Sequence, residues 1–166
     1  DSRVIRPSQY LSAHAEMETF TPQVLMPYLS GPEYSVDMVV SQGTVLAAIG
    51  RRKEGVLQYL ENEGEAIELA INCARLMNAD GMVNVQTRHN AEGKPLLLEI
   101  NMRPSGGIGY TRHSGVNLPG LYAFHTLGLM DEDQIRQSAK TDFSPAVVRS
   151  VTDVIRYPAL LTNRID

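Results

Sequence analysis

Residues 96–103, Leu-Leu-Leu-Glu-Ile-Asn-Met-Arg, carry a carboxylate, an amide and a guanidinium at every second position. In an extended chain successive side chains point to opposite faces, so Glu99, Asn101 and Arg103 share one face and Leu98, Ile100 and Met102 the other. Residues 82–87 form a second strand-like run, and the turn-forming stretch 89–94 separates the two. A two-residue Glu92-Gly93 turn sets Gln86 opposite Glu99 and Asn84 opposite Asn101, which gathers all these polar groups on one surface.

Such a surface suits a hard divalent cation, because Mg²⁺ takes oxygen ligands, commonly one or two carboxylates supplemented by neutral oxygens, water and phosphates. Arg103 cannot ligate a metal, but its fork of donors matches a phosphate or a carboxylate. By spacing alone the same residues also describe the solvated side of an antiparallel sheet. Arg51-Arg52-Lys53, directly after a strand, adds cations that either reach a triphosphate or acid substrate or form a solvated turn. Arg51 is the first candidate among them.

Two hairpins and a helix would position these groups. Tyr34, Val36, Met38 and Val40 alternate with polar residues as in a half-buried strand. Ser41-Gln42-Gly43 supplies a turn, and residues 44–49 a second apolar strand. Residues 62–78 set Ile67, Ala70, Ile71 and Ala74 at i, i+3, i+4 and i+7, with acidic residues in the first turn. Asn62 and Glu65 suggest a capping box there, and Gly81 a stop. The spacing further predicts helices over 8–19, 118–127 and 131–139, a Gly/Ser-rich loop over 104–116 and a closing strand over 147–155.

The 166 residues, 43% hydrophobic and 20% charged, fit one compact domain with its own core. A net charge of −4 without a Lys/Arg run argues against a nucleic-acid surface. Cys73 is the single cysteine, which excludes an internal disulfide and a Cys-based zinc site, and a cytoplasmic setting is the expectation. No signal pattern or 18-residue apolar run marks a membrane protein. Gly106-Gly107-Ile108-Gly109 lacks the Gly-Lys-Ser/Thr of a phosphate loop, the histidines have no partner at i+3 or i+4, and neither Ser105 nor Ser114 sits in a nucleophile elbow.

Residues 81–86, Gly-Met-Val-Asn-Val-Gln, followed by residues 98–104, Leu-Glu-Ile-Asn-Met-Arg-Pro, resemble the metal-binding hairpin of ATP-grasp enzymes, particularly the synthetase domains of carbamoyl phosphate synthetase. Residues 26–37, Met-Pro-Tyr-Leu-Ser-Gly-Pro-Glu-Tyr-Ser-Val-Asp, resemble the family's adenine-binding hinge, and residues 114–119 its loop into the helix after the active site. The resemblance implies an α+β fold, an antiparallel sheet with flanking helices forming the C-terminal subdomain of an ATP-grasp fold. It implies Gln86, Glu99 and Asn101 as ligands of Mg²⁺, or Mn²⁺ in its place, with Asn84 as the reserve ligand. Arg103 would contact the acyl phosphate or acid, Glu33 the ribose, backbone groups of Tyr28 and Leu29 the adenine, and Leu98 would form an apolar wall. Met26 departs from the Glu or Gln that many members carry there.

The implied reaction passes phosphate from ATP to a carboxylate and lets an amine or other nucleophile attack the acyl phosphate. The expected partners are a small-molecule acid and amine, with a homodimer compatible with the sequence. The family's phosphate-binding lysines and glycine-rich lid normally precede the region seen here, so the chain is expected to be a piece that binds ATP weakly and turns over nothing alone. The competing reading is a non-catalytic ATP-grasp-like scaffold or regulatory module.

Overall fold

The computed structural model describes residues 4–9, 12, 25–143 and 145–148. Their elements are β1 (Glu33–Ser41), β2 (Thr44–Glu54), β3 (Leu57–Glu61), α1 (Glu65–Leu76), β4 (Gly81–His89), β5 (Pro95–Asn101), α2 (Leu118–Thr126), α3 (Glu132–Ser138) and β6 (Ala146–Val148). Short 3₁₀ segments cover Pro7–Gln9 and Ile108–Ser114. The strands form one antiparallel sheet in the order β5-β4-β1-β2-β3-β6. This is the expected α+β class, an antiparallel sheet with flanking helices. Most of the helix expected over 8–19, and all of the closing strand beyond Val148, lie outside the described residues.

Helices cover both faces of the sheet. On one face α1 lays Ile67, Ala70 and Ala74 against Val36, Met38 and Val40 of β1 and Val83 and Val85 of β4. On the other, Leu118 and Leu121 of α2, Ile135 of α3 and Val116 just before α2 pack onto Val39, Ala47, Ile49 and Leu60, with Ile108 and Tyr110 of the 3₁₀ segment against them. Each fully buried large side chain contributes roughly 1.5–3 kcal/mol of transfer free energy. Because both faces are covered, β1 is buried from Ser35 to Val40, and polar residues that alternation assigns to solvent are enclosed with the rest.

Local chemistry explains the turns. Gln42 (φ 46°) and Gly43 (φ 78°) both occupy the left-handed region, as a two-residue hairpin between antiparallel strands requires. The tip docks on the α1–β4 connection, where Gly43 N–H donates to the Ala79 carbonyl at 2.7 Å and Gln42 N–H to Asp80 Oδ1 at 3.0 Å. The capping box expected from Asn62 and Glu65 does not form. Gly64, with φ 118°, is the N-cap residue, so Asn62 lies two positions before the cap, and its amide donates to the Thr141 carbonyl instead. A complete capping box does open α3, where Asp131 and Gln134 exchange side-chain and backbone hydrogen bonds.

Strand β2 runs through Glu54, longer than the apolar run indicates, and β3 follows it after a Gly55 turn with φ 56°. Arg51-Arg52-Lys53 is therefore on a strand, not on a turn after one. Its alternation sends Arg52 to the α1 face, where it pairs with Glu61 at 3.0 Å and with Glu54 and lies 4.5 Å from the Tyr59 ring centre. Arg51 and Lys53 are left for the other face.

Candidate functional site

Strand register builds two polar rows across the sheet. Glu99, Gln86, Ser35 and Arg51 are successive cross-strand neighbours on β5, β4, β1 and β2. Asn101, Asn84, Asp37 and Ile49 form the adjacent row. Gln86 thus lies opposite Glu99 and Asn84 opposite Asn101, as expected, although by a different route. The hairpin loop holds three residues, Ala91, Glu92 and Gly93 (φ 80°), closed by Asn90 N–H to the Lys94 carbonyl at 2.9 Å. A bulge at Leu98 on β5 then restores the pairing. Leu98 is the unpaired residue of that bulge and does not alternate simply with Ile100, which packs on the α1 side. Met102 lies beyond the strand and is exposed.

The Asn101 amide donates to Glu99 Oε1 at 2.7 Å, so the two side chains share a face and the amide oxygen remains available as a donor atom toward a cation. Among the described residues no three His, Cys, Asp or Glu side chains cluster, and Glu99 is the one carboxylate of this set. Asn84 is buried, and its Nδ2 is committed to Ser35 Oγ (2.9 Å), the Val36 carbonyl (3.2 Å) and Asp37 Oδ1 (3.2 Å). Gln86 is only half-buried.

Beside this face a cavity of about 170 Å³ is lined by Glu33, Arg51, Lys53, Gln86, Arg103 and Ser105, among others. Three cations meet one carboxylate there. Arg51 is held by neutral partners, Nη1 donating to Gln58 Oε1 at 3.0 Å and Nη2 to Ser105 Oγ at 3.3 Å, while its buried Nε has no partner. Arg103 is exposed and donates to the Pro104 carbonyl at 3.1 Å. An orphaned guanidinium N–H beside unpaired positive charge fits an anionic ligand, since an unmade buried hydrogen bond carries a desolvation cost. A larger cavity of about 750 Å³ lies along the edge of β2 between α1 and α3, but it contains none of these groups.

Of the residues expected at the site, Glu33, Arg51, Gln86 and Arg103 line the smaller cavity, and Glu99 and Asn101 adjoin it through the register. Tyr28, Leu29 and Leu98 do not line it. The segment 25–32 has no regular secondary structure; Tyr28 is exposed and Leu29 buried. Gly31 N–H donates to the His89 carbonyl at 2.9 Å, and a Cβ on Gly31 would stand 2.7 Å from His89 Cβ, so this segment lies close against the end of the β4–β5 hairpin. Glu33 is exposed and faces Arg88 at a loose 3.9 Å.

Sequence reasoning passed over Asp37 and Ser105. Asp37 is 0% exposed, and each partner recorded for it donates: Ser105 N–H to Oδ1 at 2.7 Å, Ser105 Oγ to Oδ2 at 2.6 Å, and the Asn84 amide. Burial nevertheless outweighs these donors and the nearby Arg51 charge, and raises the Asp37 carboxyl above its ordinary value. The available signal was parity: Asp37, two positions after Ser35, shares its face on the strand paired to both Gln86 and Arg51.

A search of curated proteins finds no match. Solved structures similar to the chain include an L-amino acid ligase from Bacillus licheniformis (17% identity, TM-score 0.45), covering 68% of this chain and 32% of that one. A biotin carboxylase from Campylobacter jejuni, in complex with β-γ-ATP, has 15% identity and a TM-score of 0.43, covering 68% of this chain and 26% of the other. A D-alanine–D-alanine ligase from Bacillus anthracis, complexed with ATP, has 16% identity and a TM-score of 0.36, covering 68% and 38%. The chain thus spans well under half the length of these proteins. The model of the family described as ATP-grasp in the biosynthetic pathway with Ter operon matches residues 19–154, most of the sequence, and the chain belongs to that family.

Proposed function

We propose that this chain supplies the metal- and phosphate-facing part of an ATP-dependent ligase that activates a carboxylate as an acyl phosphate for attack by an amine or another nucleophile. The observation that carries this reading is the register placing Gln86, Glu99 and Asn101 on one face beside a cavity with an orphaned Arg51 donor. Mg²⁺, or Mn²⁺ in its place, bound with ATP by Gln86, Glu99 and Asn101, would neutralise phosphate charge during transfer. Glu99 contributes the negative charge of this ligand set, and its hydrogen bond from Asn101 fixes both side chains on the same face. Arg103 and Arg51 orient the acid and hold the negative charge that develops on the transferred group, at donors already in place before the reaction. Glu33 accepts from the ribose hydroxyls, while the backbone of Tyr28 and Leu29, with Leu98 as the apolar wall, takes the adenine.

The test is ADP release by the whole protein across a panel of acids and amines. Glu99→Gln keeps shape but removes the charge, so metal affinity weakens first and kcat falls by about 10² or more, the scale of losing one electrostatic stabiliser. Arg103→Lys keeps charge but loses the fork, leaving ATP and Mg²⁺ binding intact while acid-dependent turnover drops. Wild-type Mg²⁺ dependence and turnover in both variants would reduce this surface to an ordinary polar sheet face.

A further inference from the structure

The loop after β5 is tied to the sheet at one residue. Ser105 N–H and Oγ–H both donate to Asp37, at 2.7 and 2.6 Å, so a buried carboxylate clamps the serine at two points. A hydroxyl has one proton, and here it is committed to Asp37 Oδ2, which leaves the lone pairs of Oγ facing two other donors. They accept from Gly107 N–H at 3.2 Å and from Arg51 Nη2 at 3.3 Å. Gly107 approaches the same guanidinium so closely that a Cβ on it would stand 2.4 Å from Arg51 Cζ. Gln58 closes another side through Nη1 at 3.0 Å, and the Tyr110 ring centre lies 6.0 Å from Cζ.

We propose that Asp37 is a positioning residue: through the Ser105 hydroxyl it sets the loop at residues 105–107 against Arg51 and so fixes the Arg51 guanidinium at the polar cavity. The connection is directional. Asp37 orients the Ser105 proton, the oriented hydroxyl presents its lone pairs to Arg51, and the absent Gly107 side chain leaves the guanidinium room to lie against the backbone. Arg51 forms no salt bridge among the described residues, its charge acting on Asp37 only across the Ser105 hydroxyl, and it stands with Lys53 and Arg103 at the cavity. The consequence for anion binding rests on the function proposed above; the ordering of Arg51 does not.

The experiment separates these two parts. Backbone-independent order of Arg51 is read on the full chain from the relaxation of its Nε–Hε NMR signal, and anion binding from titration with inorganic pyrophosphate. Two variants loosen the guanidinium by different routes: Ser105→Ala removes the acceptor, and Gly107→Ala inserts a methyl group where the guanidinium lies. Gly107 has φ −99°, which alanine also adopts, and the group displaced is the end of a flexible side chain, so folding survives. Asp37→Asn gives the third arm, because an amide nitrogen placed toward Ser105 Oγ turns the hydroxyl proton away. Arg51 order is expected to fall in all three, and pyrophosphate binding to weaken about tenfold, the scale of one charge-assisted hydrogen bond. Ser105→Thr, which keeps the hydroxyl, is expected to retain wild-type order. Unchanged Arg51 order in Asp37→Asn or in Ser105→Ala overturns the proposal, whereas lost order with unaltered pyrophosphate affinity supports the positioning role and refutes its consequence for anion binding. A wild-type chain that orders Arg51 but binds no pyrophosphate refutes the anion-binding function and leaves the positioning role supported by the NMR arm.

Discussion

Replacing Asn84 by alanine separates a structural amide from a metal ligand. Its Nδ2 carries two protons and faces three buried acceptors, Ser35 Oγ, the Val36 carbonyl and Asp37 Oδ1, at 2.9 to 3.2 Å. Two of these can be served at once. A bond to a charged acceptor is worth about 1.5–3 kcal/mol and one to a neutral acceptor about 0.5–1.5, so the loss comes to about 2–4.5 kcal/mol. In a chain of 166 residues this lowers the melting temperature by roughly 5–15 °C. Gln86 has no side-chain hydrogen bond recorded among the described residues and is half-buried, so Gln86→Ala should stay within about 0.5 kcal/mol of wild type. Urea unfolding reads the first quantity, and Mn²⁺ binding by electron paramagnetic resonance the second. Asn84→Ala should lose stability and keep Mn²⁺ affinity once folded, and Gln86→Ala the reverse. If Asn84→Ala is as stable as wild type yet loses Mn²⁺, the hydrogen-bond assignment is wrong and Asn84 is the ligand.

Two further perturbations test the sheet beneath the site. Because burial raises the Asp37 carboxyl, the folded chain holds this proton to higher pH than the unfolded chain; its contribution to stability is present on the acid side and lost as pH rises through the raised value. Unfolding free energies measured across that range should therefore fall with pH in wild type and show a flatter slope in Asp37→Asn. Gly50→Ala puts a methyl group 2.9 Å from Ile67 Cδ1 and Cγ1, where Ile67 is 2% exposed and has no room to retreat. The expected loss is about 1–3 kcal/mol, partly recovered in Gly50→Ala/Ile67→Val, and a single variant at wild-type stability would contradict the packing described.

The parts of the fold legible in the sequence are those governed by local periodicity. The α1 stripe of Ile67, Ala70 and Ala74, the Gln42-Gly43 turn and the shared face of Glu99 and Asn101 on β5 each follow from a few neighbouring residues. What was not legible depends on tertiary cover. Arg51, Arg52 and Lys53 have polar side chains that look like the end of a strand, yet β2 continues through them because β3 provides a partner from Leu57 to Glu61. Asp37 reads as a solvent-facing residue until α2, α3 and the segment Ile108–Ser114 cover its side of the sheet. The Asn62–Glu65 pair has capping-box spacing, but Gly64 caps the helix two positions too late for it.

The pairing of Gln86 with Glu99 came out as expected from a turn that does not exist. A two-residue loop over an unbroken strand and a three-residue loop followed by one extra residue on β5 yield the same cross-strand neighbours beyond the bulge. Between Leu98 and the loop they differ: Thr87 faces Leu97, His89 faces Pro95, and the β5 side chains there are on the opposite face from the simple reading, while those of β4 keep theirs. The bulge therefore acts as a register correction placed directly next to Glu99. Lengthening the loop by one residue moves the hairpin tip and the docked Gly31 segment, while the rows from Glu99 to Arg51 and from Asn101 to Asp37 keep their partners. A site built on strand register, with its irregularity confined to the loop side, tolerates change in the hairpin tip as long as residue 98 remains free to leave the ladder.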